Sequence, residues 1–262
     1  MFWRRQKAAI EKFHPLHQAL IWQRGLSVTM RPGEWEQLIQ SLAGHDAAVR
    51  RRKWAPPDRV RTVLVPLIRV FAADMRPDGM LGVTADLRGP NVQGKLSPMQ
   101  TFPGNRHRVR KIEEWWAWDP WLRLRAELRD GSVLELTVVD RIRYRKVHKT
   151  SQSGKYKTKT KTKTVQRVNV SRKLPEGAVT QRPATPPPQW MTVKVRGGAA
   201  PGGVGGRPPS EGTVRGGGRT LIRAGAKLMG GGDERALPEQ ILHVTTELFR
   251  WTPPGSATRR TG

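Results

Sequence analysis

The chain has 262 residues, with 48 Lys plus Arg against 21 Asp plus Glu, a formal net charge of +27 and no cysteine. Without cysteine there is no disulfide framework and no thiolate-ligated zinc or iron–sulfur centre. With no apolar run of about 18 residues there is no transmembrane helix either. The length suits one large or two small domains, and 36% hydrophobic content is modest for a core.

The opening MFWRRQKAAIEKF carries charge but lacks the apolar stretch of a signal peptide, so a cytoplasmic protein without export is expected. Residues 5–23 space Ala9, Ile10, Phe13, Leu16, Leu20 and Ile21 as a helix does, with a break at Pro15. A second helix is expected over 33–42, with Pro32 at its start, Glu34 and Glu36 in its first turn and Gly44 beyond its end. Residues 45–53 read as a short basic helix ending in Arg50, Arg51, Arg52 and Lys53.

From Val60 two patterns compete. Val60, Val63, Leu64, Leu67, Ile68 and Phe71 fit a helix, whereas Pro66 and the β-branched content favour a strand. With the turn signal Arg76-Pro77-Asp78-Gly79 behind it, the segment is read as a hairpin of strands 67–75 and 80–88. Residues 89–110 are loop-like. The segment EEWWAWDPW follows, with Trp115, Trp116, Trp118 and Trp121. Core and hinge packing is the ordinary fate of such a cluster; base stacking or a lipid interface is the sharper one. Trp115 and Trp116 cannot share a face of a strand.

Beyond Trp121 the alternation is clear. Leu122, Leu124, Ala126 and Leu128 alternate with Arg123, Arg125, Glu127 and Arg129. A tight two-residue turn is expected at Asp130-Gly131. Strands continuing through Tyr144, and from about Tyr156 to Arg172, complete an antiparallel meander. A Gly/Pro-rich stretch occupies 184–218, with a short strand at 190–195 and a flexible linker from 197. A last helix is expected over 238–250. The fold class is therefore α+β: helices at the N-terminus, a central antiparallel meander with a long projecting basic hairpin, a Gly/Pro-rich linker and a C-terminal helix. The expected segments are 1–56 (helical), 57–183 (antiparallel β, hairpin 134–172), 184–218 (linker) and 219–262 (C-terminal, helical).

The charge is unevenly spread. Arg outnumbers Lys 33 to 15, a bias of GC-rich bacterial composition that makes much of the total background. Yet residues 141–173 hold 13 basic residues, 8 of them Lys, and no acid. In a strand Lys155, Lys157, Lys159, Lys161 and Lys163 point one way, and Tyr156 with the intervening threonines the other. A three-residue tip Gln152-Ser153-Gly154, with Gly left-handed, pairs residues whose numbers sum to 306: Val138 with Val168, Leu136 with Val170, Tyr144 with Thr162. The apolar matches at the base favour this register over a two-residue tip. It sets Arg143 opposite Lys163 and Arg145 opposite Lys161. The result is a cationic face on a hairpin roughly 40 Å long at ~3.3 Å per residue.

The bland alternative is an edge hairpin kept soluble by lysine, but eight lysines without an acid exceed that need. The residues expected to hold phosphates are Arg141, Arg143, Arg145, Lys146, Lys149, Lys155, Lys157, Lys159, Lys161, Lys163 and Arg167, with Tyr144 or Tyr156 as stacking partners. Lys-Thr repeats offer point charges rather than bidentate forks, so base-specific readout is not expected.

Other features say less. The Arg-Gly-Gly steps at Arg196 and Arg215 lack aromatic interleaving and read as linker. His14 and His17 lack a carboxylate motif for a metal. Asp86, Glu113, Glu114, Asp119 and Asp140 form no catalytic pattern, and no phosphate-loop, nucleophile-elbow or zinc-protease motif occurs. The expectation is a non-enzymatic, sequence-independent nucleic-acid-binding protein without cofactor or metal. The alternatives are an assembly protein whose hairpin engages an acidic protein or an anionic membrane surface, and an enzyme carrying the hairpin as a peripheral arm. Oligomeric state is not legible.

Overall fold

The computed structural model describes residues 2–104, 106–197, 219–229 and 234–253. Two short helices open the chain, α1 (Phe2–Ile10) and α2 (Pro15–Trp22). Pro15 ends the first periodic run and starts the second, because a prolyl ring is tolerated only in a first turn. His14 caps α2, its Nδ1 accepting from the Leu16 N–H at 3.2 Å. Then come strand β1 (Gly25–Met30), α3 (Pro32–Ala43), the four-residue α4 (His45–Ala48) and a 3-10 turn at Arg52–Trp54. The basic helix expected over 45–53 is thus split. Arg51 and Lys53 lie over the Trp54 ring, at 5.3 and 5.0 Å from its centroid.

The strand expected at 67–75 is a helix, α5 (Val65–Ala73), entered through a π turn at Val60–Leu64. Periodicity overrides β-propensity here: Val60, Val63, Leu64, Leu67, Ile68 and Phe71 are all buried on one stripe. Pro66 is accommodated in the first turn of α5, and the widened turn before it relieves the collision of a prolyl ring with the preceding carbonyls. The turn at 76–79 forms as expected, Gly79 N–H donating to Arg76 O at 3.0 Å. It joins α5 to β2 (Leu81–Asp86) rather than two strands.

The remaining strands are β3 (Gln100–Pro103), β4 (Val109–Glu127), β5 (Val133–Thr150), β6 (Tyr156–Lys173), β7 (Met191–Arg196) and β8 (Leu221–Met229), followed by α6 (Leu237–Phe249). They form one antiparallel sheet in the order β1-β2-β4-β5-β6-β8-β7, with β3 on the outer part of β4. The 1–56 segment is therefore not wholly helical, since β1 forms one edge of the sheet, and the 219–262 segment supplies β8 beside β6. The strand expected at 190–195 is β7. The linker expected from 197 to 218 lies, from residue 198 on, outside the described residues.

The turn after β4 is a three-residue loop, not two. Leu128 N–H donates to Ser132 O at 2.9 Å, and Gly131 takes φ +81. The Asp130 carboxylate accepts from the Ser132 N–H at 2.8 Å and its hydroxyl at 2.6 Å, an arrangement that short polar side chains favour in turns.

Helices α3, α5 and α6 cover one face of the sheet. Leu38, Leu67, Phe71, Ile241 and Leu248 are buried with Leu81, Leu124, Leu136, Val138, Val168 and Ile222 in a single core, each such side chain contributing about 1.5–3 kcal/mol. No helix among the described residues covers the opposite face. Arg123, Asn169, Lys194 and Arg223 on it are exposed, and Thr137 and Ser171 are half-buried. A bulge at Asp119/Leu122 switches the parity of β4. Because of it, Ala117 and Asp119 before the bulge and Leu122 and Leu124 after it share the covered face, while Trp116, Trp118, Arg123 and Arg125 share the open one. Pro120 sits in the bulge, where no ladder donor is required.

A smaller cluster of Ile10, Ile21, Val49 and Trp54 holds the N-terminal helices. Beside it, His17 Nε2 lies 3.1 Å from His45 Nδ1, and His17 Nδ1 2.9 Å from Ser41 Oγ. The Phe13 ring stacks on His17 at 4.3 Å. Burial, and then the neighbouring His45, Arg61 and His14, lower His17 from 6.5 to about 4. Asp46 opposes the lowering at His45, but its own carboxylate is held by Arg61 at 2.6 and 2.7 Å. The unfolded chain therefore takes up a proton that the folded one refuses. The contribution of His17 is complete above pH 6.5 and is lost as pH falls towards 4, at a slope approaching about 1.4 kcal/mol per pH unit. Urea midpoints should fall over this window, and less steeply in His17→Gln; an unchanged slope in the variant would remove His17 as the source.

Candidate polyanion interface

β5 and β6 pair in the register expected from the sequence: Val138 with Val168, Arg143 with Lys163, Tyr144 with Thr162, Arg145 with Lys161 and Lys149 with Lys157. Ser151 N–H donates to Lys155 O at 2.8 Å, leaving Gln152, Ser153 and Gly154 as the tip, with Gly154 at φ +75. An L side chain at that position costs about 1–2 kcal/mol. Gly154→Ala meets no other atom there, so it should loosen only the tip. Amide exchange at Ser151 and Gly154 should quicken ~10-fold while exchange at Val138 and Val168 holds; equal quickening at the base would refute a locally strained tip.

The hairpin outruns β8, whose last partner on β6 is Val165. From Thr164 to Tyr156 no strand among the described residues pairs with the outer edge of β6. Its other side is not a bare ribbon, because β4 follows β5 out to Lys149 and β3 follows β4. The basic element is the outer half of a four-stranded arm.

The register divides the expected residues between two faces. Arg141, Arg143, Arg145, Lys149, Lys155, Lys157, Lys159, Lys161, Lys163 and Arg167 lie on the open face. Lys146, Tyr144 and Tyr156 lie on the other. Tyr144 is packed there: its ring stacks on Trp115 at 5.3 Å and its hydroxyl donates to Asn91 Oδ1 at 3.2 Å. Tyr156 is exposed, with the Arg110 guanidinium 5.0 Å from its ring centre. Neither tyrosine stands beside the five lysines. Arg172 is also set apart: it is buried over the Phe249 ring at 4.1 Å, bonded to Asp130 and to Ser132 Oγ at 3.0 Å.

The two faces differ in charge balance. On the Tyr144 side the cations converge on Glu113, which meets Lys111 at 2.7 Å, His148 at 2.9 Å and Lys146 at 3.6 Å. The hydrogen bonds from Lys111 and then His148 hold the Glu113 carboxyl below its usual range, at about 2. On the open face Arg143 pairs with Glu114 at 2.6 Å. Among the described residues no carboxylate pairs with Arg141, Arg145, Lys149, the five lysines or Arg167. Like charges also stand directly opposite, Arg143 to Lys163 and Lys149 to Lys157, an arrangement unfavourable in an unliganded sheet. Within this face lies a depression of about 260 Å³, floored by Val109, Ile112 and Val147 and rimmed by Arg106, Arg145, Lys149, Lys159 and Lys161.

Sequence reasoning missed the aromatic part of the face. Trp116 and Trp118 are exposed beside Arg141, whose guanidinium lies 5.7 and 5.3 Å from their ring centres. The signal was their i, i+2 spacing, but the bulge that aligns them with the lysines depends on pairing across β5. Trp115 is half-buried and Trp121 fully buried under Arg59, at 4.5 Å.

The candidate acids are mostly structural. Asp119 accepts from Lys95 Nζ at 2.6 Å, Lys95 also meets Asp86 at 2.9 Å, and Asp140 accepts from Arg59 at 2.8 Å. Burial raises Asp140 despite that partner. Among the described residues no three His, Asp or Glu side chains are grouped to hold a metal, and no helix is long and apolar enough to cross a membrane. No family model, curated protein or solved structure matches the chain.

Proposed function

We propose that the protein binds nucleic acid without sequence preference, through the open face of the β3–β6 arm, and without catalysing a reaction on it. The observation that carries the proposal is the contrast between the two faces. On one face Lys111, His148 and Lys146 share the carboxylate of Glu113; on the other, among the described residues, Arg141, Arg145, Lys149, the five lysines and Arg167 have no carboxylate partner. Phosphates relieve the repulsion along such a row, and each cation that neutralises a phosphate releases a counterion condensed on the nucleic acid, which makes binding favourable and salt-dependent. Spacing supports a linear partner, since alternate residues on one strand face repeat about every 6.6–6.8 Å, near the phosphate step of an extended strand. Nucleic acid is the partner this reading proposes, and the cytoplasm the setting it proposes.

The test is affinity across a salt series for random duplex DNA, RNA and anionic phosphatidylglycerol vesicles. The proposal expects log K for DNA or RNA to fall linearly with log salt, at a slope of at least about −4, as the neutralisation of several phosphates requires. Binding to vesicles alone, or a flat slope for both nucleic acids, would overturn it.

A further inference from the structure

A second depression, about 330 Å³, lies on the same open face where the hairpin joins the body. Trp116, Val165 and Met229 form an apolar floor, and Arg141, Arg167 and Lys227 stand around it. No acid lines it. Trp116 is 41% exposed and Met229 68% exposed, a cost in water that neither core packing nor edge protection explains. Arg141 and Arg143 sit 5.7 and 5.6 Å from the Trp116 ring centre, so the exposed indole is flanked by two guanidinium groups. Arg143 and Arg167 each keep a buried Nε–H without an acceptor, and such donors are rare in a finished structure.

We propose that this depression is a stacking subsite for one unpaired base of single-stranded nucleic acid. The base lies on Trp116, with its sugar towards Val165 and Met229, and the flanking phosphates lie on Arg141, Arg167 and Lys227. The inference rests on the polyanion reading above and deepens it by naming the strandedness of the ligand. A paired base keeps its π-face covered by its neighbours in the duplex, so only an unstacked base reaches the indole. Stacking is tolerant of sequence because every base has a π-face, which agrees with the absence of bidentate readers along the Lys-Thr repeat. The depression adjoins Lys163, so a strand leaving the subsite runs directly onto the lysine row.

The test compares three probes of equal length at fixed salt: oligo(dT), an abasic oligomer with the same phosphates, and a duplex. Wild-type protein should bind oligo(dT) ~10-fold more tightly than the abasic strand, the size of a single aromatic stack. Trp116→Leu, which keeps the apolar floor, should reduce that preference to within about twofold and leave the salt slope unchanged. An unchanged urea midpoint of the variant reports that the arm is still folded. Equal affinity of the wild type for oligo(dT) and the abasic strand, or a preference that survives in Trp116→Leu, would overturn the stacking subsite while leaving the polyanion reading in place. Failure of all three probes to bind would overturn both.

Discussion

Replacing Lys155, Lys157, Lys159, Lys161 and Lys163 together by Thr should lower nucleic-acid affinity by ~100-fold or more near physiological salt. It should also flatten the salt dependence by roughly 0.7–0.9 for each phosphate that no longer meets a cation. Thr is already the alternate residue of β6 and a good strand former, and all five lysines are exposed. The change therefore removes charge without disturbing the core beneath Val138 and Val168. The matched control is Lys111→Thr with Lys146→Thr on the opposite face. It removes two cations that already share Glu113, so affinity should shift by no more than about threefold, the effect of a long-range change in net charge. Equal losses per charge removed in the two variants would mean that total charge, not the face, drives association. The five-fold variant should be no less stable than wild type, because it relieves the opposition of Lys157 to Lys149, Lys161 to Arg145 and Lys163 to Arg143.

The second large effect falls on the root of the arm. Lys95 is 10% exposed and bridges Asp119, 1% exposed, to Asp86. Its ammonium also donates to Gly89 O at 3.2 Å, tying the 89–99 loop to β4. Lys95→Met keeps the aliphatic stem but leaves a buried carboxylate without its cation. The expected loss is about 3–5 kcal/mol of stability, because most of the desolvation cost of Asp119 then stands uncompensated. Adding Asp119→Asn should recover a substantial part, since an amide carries no charge to desolvate. Urea unfolding of the two single variants and the double variant measures the coupling. A loss under about 1 kcal/mol in Lys95→Met, the scale of a surface pair, would show that this layer does not hold the arm.

How much of this was legible in the sequence depends on whether the determining interaction was local. The β5–β6 register could be read directly, because the Gly154 tip and the apolar pairs at the hairpin base agree on one alignment. Strand β1 was also present as alternation, with Leu26 and Met30 buried, Val28 half-buried, and Ser27 and Thr29 exposed, but six residues between two helices give a weak signal. So was β8, through Ile222, Ala224 and Ala226. The segment 60–73 was misread because Pro66 and the valines are strand-like one at a time, whereas the stripe they build has helical spacing. The hairpin register already sets Tyr144, Tyr156 and Lys146 on the face opposite the five lysines; what those residues and the tryptophans meet was out of reach. That Lys146 faces Glu113, that Tyr144 turns to Trp115, and that Trp116 joins the lysines all follow from pairing of β4 with β5 and from the bulge at Pro120. None of these long-range facts has a signature within the hairpin itself.

The central claim, that one face of the arm holds the polyanion, is tested most directly by lysine acetylation footprinting of the intact chain with and without bound nucleic acid. The hairpin supplies its own internal control, since Lys146 and Lys149 lie on the same strand and point to opposite faces. Protection should appear at Lys149, Lys155, Lys157, Lys159, Lys161 and Lys163, with Lys146 and Lys111 modified at the same rate in both states. Protection of Lys146 and Lys111 to the same degree as the row of five, or protection of neither set in a saturated complex, would contradict the account.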